Sequence, residues 1–216
     1  MIKNIKISEL PSVIPIFPLP GAIVMPNGTL PLNIFEPRYV AMIEAVLGTH
    51  RIIGMIQPKY KSEHNLKSLY PVGCAGKIIS FSETSDKRYL IELKGVIRFK
   101  VEKEVDLING YRNIIPNWSY YKNDLSTKVE DIEINPLLKE LQIYFNKNNI
   151  NVDFSEISKI PHEQVIASVP QICSFKTSEK QAILEAKSLK DRVKVLISLL
   201  KMYSTLSNDQ ENETIN

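Results

Sequence analysis

Three groups of side chains in this 216-residue chain have the types and spacing to bind a ligand. The first is Phe35-Glu36-Pro37-Arg38-Tyr39, where an apolar run meets a proline-led helix start. A helix start presents N–H groups that can hold a carboxylate or a carbonyl. Arg38 adds a planar donor fork, and Phe35 and Tyr39 add apolar area at low entropic cost. That chemistry suits the border of a peptide groove. The same residues also fit a structural role, with Glu36 complementing the helix dipole and Tyr39 packing. The second group is Arg98, alone on the polar face of its strand: it either receives an acidic group or pairs across strands with Glu92 or Glu102. The third is Trp118 with Tyr111, Tyr120 and Tyr121, an aromatic density that suits a hot-spot surface or a seam between two halves of the chain. The candidate peptide-binding residues are therefore Phe35, Glu36, Arg38, Tyr39, Arg98 and Trp118.

Covalent and redox chemistry have no such support. The sequence has no G-x-x-x-x-G-K-[ST] phosphate loop and no G-x-S-x-G nucleophile elbow. His50, His64 and His162 are scattered, without H-E-x-x-H or C-x-x-C spacing, so no metal site and no cofactor is expected. The reading is of a non-enzyme.

Hydrophobic residues make up 44% and charged residues 24%, an ordinary globular balance. The net charge of +3 is far from the dense basic stripe of a nucleic-acid binder. Apolar runs such as VLISLL are too short to span a bilayer. The opening MIKNIKISEL lacks the apolar core of a signal peptide, and the two cysteines, Cys74 and Cys173, fit a reducing compartment. The expected location is the cytoplasm.

The elements that must position these residues change character along the chain. Residues 1–121 read as β-rich. VIPIF, TLPLNI and RIIGMIQ are short apolar strands, and a helix opening at Pro37 presents Val40, Ile43 and Leu47 as one stripe. PKYKSEHNLKSLYP is polar and reads as a loop. GCAGKIISF, RYLIELKG and VIRFKVEKE alternate with period two, which predicts antiparallel strands with one wet face. YRNIIPNWSYY closes the set, with Pro116 requiring an edge or a bulge. Residues 122–133 form a connector. Residues 134–204 read as helices: NPLLKELQIYF with Asn135 as N-cap, PHEQVIASV, SEKQAILEA with a Ser178–Gln181 capping box, and SLKDRVKVLISLLKMY with an apolar seam of Leu189, Val193, Leu196, Leu200 and Tyr203. Residues 205–216 read as a polar disordered tail.

A family likeness covers most of this span. FPLPGAIVMPNGTLPLNIFEPRY resembles the opening of the Lon-protease N-terminal domain. VGCAGKIISFSETSDKRYLIELKGVIRFKVEKE resembles the middle of that domain, GYRNIIPNWSYYKNDL its Tyr-Arg…Pro-x-Trp…Asp-Leu segment, and SFKTSEKQAILEAKSLKDRVKVLISLL its last helices. One departure is Lys87, where such hairpins commonly carry Asp-Gly, so a longer turn is expected. The resemblance implies an α+β fold: a PUA-like twisted antiparallel β pseudo-barrel with one packed helix, then a C-terminal helical bundle. It implies a non-catalytic module that binds unfolded or client proteins and peptides, alongside a protease or chaperone, with self-association among its properties. It also implies the recognition domain on its own, without the ATPase and peptidase domains. Membrane binding is not expected. The alternative is an RNA-binding PUA-like protein, disfavoured because Lys77, Arg88 and Lys100 are interspersed with acids.

Overall fold

The structure, a computed structural model, describes residues 5–59, 68–126 and 132–212. The chain divides into two compact units, Met1–Lys128 and Val129–Asn216. Of the expected 122–133 connector, residues 127–131 lie outside the described residues, as do residues 60–67 of the expected polar loop, His64 among them.

The first unit contains β1 (Ile14–Pro18), β2 (Thr29–Ile34), α1 (Pro37–Leu47), β3 (Ile52–Ile56), β4 (Pro58–Lys59), β5 (Ser68–Leu69), β6 (Val72–Glu83), β7 (Tyr89–Ile108) and β8 (Tyr111–Asn117). Among the described residues β4 and β5 pair with each other and with no other strand, bringing Pro58 opposite Leu69. The main sheet runs β2-β7-β6-β3-β1-β8, and β7 pairs with β8 as well. β6, β3, β1, β8 and β7 thus form a closed circuit, a pseudo-barrel, with β2 laid along the first half of β7. β7 serves three neighbours because it is 20 residues long. Its start pairs with β2 and β6, and its end, from Lys100 on, with β8.

Three expectations change here. The sheet is mixed: β1 and β3 run parallel, with Ile16 opposite Gly54. β2 and α1 intervene between them and supply the crossover that parallel pairing needs. Both strands are buried on both faces, as parallel strands are. Second, RYLIELKG and VIRFKVEKE are one strand. Gly95 between them is a close approach and no turn. A Cβ there would stand 1.9 Å from the Met25 carbonyl oxygen. The Asn27 N–H donates to Gly95 O at 3.1 Å and the Gly95 N–H to Gly28 O at 2.9 Å, so the loop before β2 is stitched to the middle of β7. Third, the buried face of α1 is Tyr39, Met42, Ile43 and Val46. This i, i+3, i+4, i+7 set leaves Val40 and Leu47 at its margins.

The β6–β7 connection is the longer turn that Lys87 demanded. Lys87 sits at φ +62°, the Thr84 N–H donates to Arg88 O and the Lys87 N–H to Thr84 O. Pro116 lies opposite Val101 beside a register shift and past the last β1 rung at Ile114, so its missing N–H breaks no ladder bond with β1. The barrel interior is filled by Ile14, Ile16, Met25, Ile53, Met55, Leu93, Ile97 and Phe99, all essentially fully buried.

The second unit holds α2 (Asn135–Lys147), α3 (Phe154–Ile157), α4 (His162–Ile172), α5 (Thr177–Glu185) and α6 (Leu189–Asn212). α2, α4 and α5 all pack on α6, and Val193, Leu196 and Leu200 of the expected seam are buried, with Leu189 and Tyr203 half-buried. Asn135 is inside the first turn and Ile134 takes the N-cap place. The cap of α5 is shifted two residues from the expected pair: the Glu179 carboxylate accepts the Lys176 N–H at 2.7 Å. α3 was not anticipated; its start is capped by Asp153, which accepts the Ser155 N–H at 2.8 Å. α6 runs to Asn212, into the stretch expected as a tail from 205, and residues 213–216 of that tail lie outside the described residues. No Gly or Pro interrupts the run, and Thr205 Oγ1 donates back to Lys201 O and Met202 O, keeping the helical turn.

Candidate functional site

The β2–α1 junction brings four of the six candidate residues together, in two different states. Phe35 follows the last rung of β2 and is 64% exposed. Glu36 takes the N-cap place but caps nothing with its side chain. It instead accepts Arg38 Nε at 3.0 Å and Nη2 at 2.7 Å, both partners being about half exposed. The Arg38 guanidinium lies 4.6 Å from the Tyr39 ring centroid. Tyr39 itself is turned inward, its ring 4.3 Å from that of Phe17, and burial pushes its hydroxyl pKa up. Phe35, Glu36 and Arg38 therefore face outward, and Tyr39 is the peg that holds them.

The sequence reading missed the second half of this surface. The β7–β8 hairpin turns through Asn109 and Gly110, both at positive φ (47° and 82°), the two-residue Asn-Gly turn that matches strand twist. A Cβ on Gly110 would lie 3.4 Å from Arg38 Cβ, so the hairpin tip rests against the start of α1. The last residues of β7, Leu107 and Ile108, are 65% and 50% exposed. Arg112 on the return strand is held by Glu104, with Nη2 at 2.6 Å from Oε2, and its charge reaches the Tyr39 hydroxyl. Exposed apolar side chains thus stand on both elements, Phe35 at the strand–helix junction and Leu107 and Ile108 on the hairpin, with the ion-paired Arg38 and Arg112 on the same two elements. The signal was present in LINGY: two large apolar residues before Asn-Gly, ending a strand whose preceding residues are mostly charged.

Arg98 and Trp118 are elsewhere and are buried. The partner of Arg98 is neither Glu92 nor Glu102 but Asp124, on the 3₁₀ segment Ser119–Leu125. Asp124 accepts Arg98 Nε at 2.8 Å, Nη2 at 2.7 Å and the Arg98 backbone N–H at 3.0 Å. The guanidinium also stacks 4.1 Å from the Tyr121 ring centroid. Burial alone would lower its pKa, but the Asp124 hydrogen bonds and charge outweigh that and hold it raised. A fork-to-fork pair of this kind needs a carboxylate facing the strand, and a residue 26 positions away was invisible to cross-strand reasoning. Trp118 donates its indole N–H to Pro11 O at 3.1 Å and meets Phe99 edge-on at 6.0 Å, so it is accounted for inside the first unit.

Among the described residues no three His, Cys, Asp or Glu side chains converge to hold a metal, and no helix is long and apolar enough to cross a membrane. Cys74 and Cys173 are buried free thiols, and burial raises Cys173 to about 12, far from reactive thiolate character.

A sequence model of the ATP-dependent protease La (LON) substrate-binding domain matches residues 13–202. The chain belongs to this family. Curated members of the LON family align over most of it. The Lon protease of Anaeromyxobacter dehalogenans is 23% identical over 210 residues, which is 89% of this chain and 23% of that protein. Lon protease 2 of Myxococcus xanthus is 25% identical over 198 residues, covering 89% and 24%. The chain thus spans about a quarter of the length of the LON relatives it matches. Two solved structures share the fold. A Lon N-terminal domain protein from Xanthomonas campestris has a TM-score of 0.58 at 17% identity, covering 86% of this chain and 97% of that one. The N-terminal domain of a Mycobacterium avium complex Lon protease has a TM-score of 0.61 at 13% identity, covering 88% and 98%. The α+β pseudo-barrel with its helical second unit is the LON substrate-binding domain fold.

Proposed function

We propose that this LON substrate-binding domain recognises client polypeptides through the surface of Phe35, Leu107 and Ile108, without ATP hydrolysis or peptide-bond cleavage of its own. The observation that carries the reading is the exposure of Phe35 at the β2–α1 junction and of Leu107 and Ile108 on the β7–β8 hairpin, whose tip at Gly110 rests against Arg38 at the start of α1. Exposed apolar clusters with a polar rim mark interaction sites. Glu36 and Arg38 on one flank, and Glu104 and Arg112 on the other, form that rim. Tyr39 supports it from inside, whereas Arg98 and Trp118 lie elsewhere. The partners this implies are unfolded segments rich in aliphatic and aromatic residues, handled together with a protease or a chaperone. Affinity for any one segment is expected in the micromolar range or poorer, about −8 kcal/mol at best, since a surface open to many sequences is finely fitted to none. Two buried free thiols support work in a reducing compartment such as the cytoplasm.

The test is Phe35→Ala with Leu107→Ala, both exposed, so that the fold is left intact. Fluorescence anisotropy against a permanently unfolded, labelled model client should show affinity reduced by about tenfold or more, the loss of two anchors worth roughly 1 kcal/mol each. Unchanged affinity in the folded double variant overturns the assignment, and ATP or casein turnover by the purified protein above a mock preparation overturns the non-catalytic reading.

A further inference from the structure

A second surface lies where β6 outruns its neighbour β3. β3 pairs with β6 only from Cys74 to Lys77, and the last rung on that side is the Ile78 N–H donating to Arg51 O at 2.8 Å. Beyond it, residues 79–83 continue as strand with β7 on one side and no strand among the described residues on the other. Ile79 and Phe81 on this stretch are 48% and 41% exposed. An unpaired edge of this kind is a template for an added strand.

The edge ends in a cavity of about 710 Å³, whose lining includes Glu9, His50, Arg51, Ile52, Lys77 and Ile79. Its charges are unbalanced. Glu9 is the one acid, and its carboxylate already accepts the Lys6 N–H at 2.9 Å. Arg51 touches the Leu47 carbonyl weakly, through Nε at 3.4 Å, which leaves the Nη donors of its fork. Lys77 makes no ion pair or side-chain hydrogen bond among the described residues. His50 accepts the Ile52 N–H on Nδ1 at 3.0 Å, so its other ring nitrogen carries the proton and is a donor.

Strand direction decides what fits. A segment pairing antiparallel to residues 79–83 runs collinear with β3 and in the same direction, because β3 is itself antiparallel to β6. Its path is blocked at Arg51, so the segment must end there, and the end that arrives is a C-terminus. A parallel segment would bring an α-ammonium to the same place, against Arg51 and Lys77. We infer that the free edge of β6 takes the extended C-terminal segment of a protein partner, with its α-carboxylate held by Arg51, Lys77 and His50. Apolar side chains of that segment pack beside Ile79 and Phe81. This site uses none of the residues of the Phe35 surface.

The experiment uses the whole chain and two dye-labelled peptides of one alternating valine–serine sequence, one ending in a free carboxylate and one in an amide. Anisotropy titration should show the acid binding about tenfold or more tightly than the amide, as the loss of a charge-assisted anchor requires. Lys77→Gln with Arg51→Gln should remove the acid's advantage, whereas Phe35→Ala with Leu107→Ala should leave it intact. Equal affinity for acid and amide in the unaltered protein overturns the inference without recourse to any variant. Loss of the acid's advantage in the Phe35/Leu107 variant also overturns it, by moving the carboxylate to the other surface. Concentration-dependent dimerisation in sedimentation that blocks peptide binding and disappears on Ser80→Pro would assign the edge to a second copy of the chain and overturn it likewise.

Discussion

Asp124→Asn should be the most damaging single-atom-scale change in the first unit. It removes one charge from a pair whose side chains are only 4% and 8% exposed, and it turns an amide NH₂ toward guanidinium donors that now meet two carboxylate oxygens. Breaking one half of a buried pair costs about 3–5 kcal/mol, because the other charge remains buried. Three hydrogen bonds to charged groups, at roughly 1.5–3 kcal/mol each, would sum to more if they were additive, which bonds sharing one carboxylate are not. The Tyr121 ring stays under the guanidinium and retains about 2 kcal/mol of cation–π attraction. The expected loss is therefore about 3 kcal/mol, and for a unit of this size the melting midpoint falls by on the order of 10 °C. Urea denaturation should show a lower midpoint at unchanged slope, the sign of lost stability without lost cooperativity. The control is Arg98→Met with Asp124→Leu, which removes both charges and should recover most of the loss. A single-variant loss under about 1 kcal/mol, the worth of an exposed pair, would refute the reasoning, since it would mean that water reaches Arg98.

Two further outcomes test the packing of α6 and the raised tyrosines. Leu196→Ala should cost about 2–5 kcal/mol in urea denaturation, the range for emptying a packed leucine site; a change under about 0.5 kcal/mol, typical of surface positions, would mean that the seam of α6 is exposed. Tyrosinate absorbance should report groups ionising well above the ordinary value of about 10. Burial and a 2.7 Å hydrogen bond to Glu179 push Tyr203 up to about 12, and the hydrogen bond to Glu44 does the same for Tyr89. Because the folded pKa is raised, the stability these groups contribute is fully present below about pH 10 and is lost as pH rises through about 12. Tyr203→Phe should delete one late-titrating group, and an unchanged titration would refute its assignment.

The sequence was most legible where one physical signal was both local and periodic. The alternation in RYLIELKG and the four-three seam of α6 were read correctly because burial on one face leaves period two or 3.6 in the chain. Reading failed where a long-range partner decided the outcome. Gly95 looks like a break between strands; only the Met25 carbonyl pressed against it explains a glycine in mid-strand. Arg98 looks like a surface residue on a polar face, and the 3₁₀ segment that covers it is not foretold by anything nearby. The parallel β1–β3 pair required knowing that β2 and α1 fold aside together. At the site, FEPRY was visible as a junction, but that Tyr39 is buried while Phe35 is not depends on Phe17, 22 residues earlier. LINGY is the opposite case: its hairpin signal is local, in Asn109-Gly110, and the exposed pair Leu107 and Ile108 stands directly before it.

The two surfaces share a physical origin. A closed sheet has no edges, and it hides its apolar residues where strand lengths match. Here they do not match. β1 and β3 have five residues each, whereas β6 has 12 and β7 has 20. The surplus of β6 and β7 must leave the barrel as projecting hairpins, one beyond β3 and one beyond β1. Those projections carry Ile79, Phe81 and Leu90 at one place and Leu107 and Ile108 at the other, five of the large exposed apolar side chains of the first unit. The sheet's interior, with Phe99 wedged against Gly73 and Gly54, has no room to take them back. Closure thus does two things at once: it fixes the framework on which the projecting hairpins stand, and it forces apolar residues into water. A shorter β7 ending near Val105 would make a more self-contained barrel and would remove Leu107 and Ile108 from the surface proposed for clients.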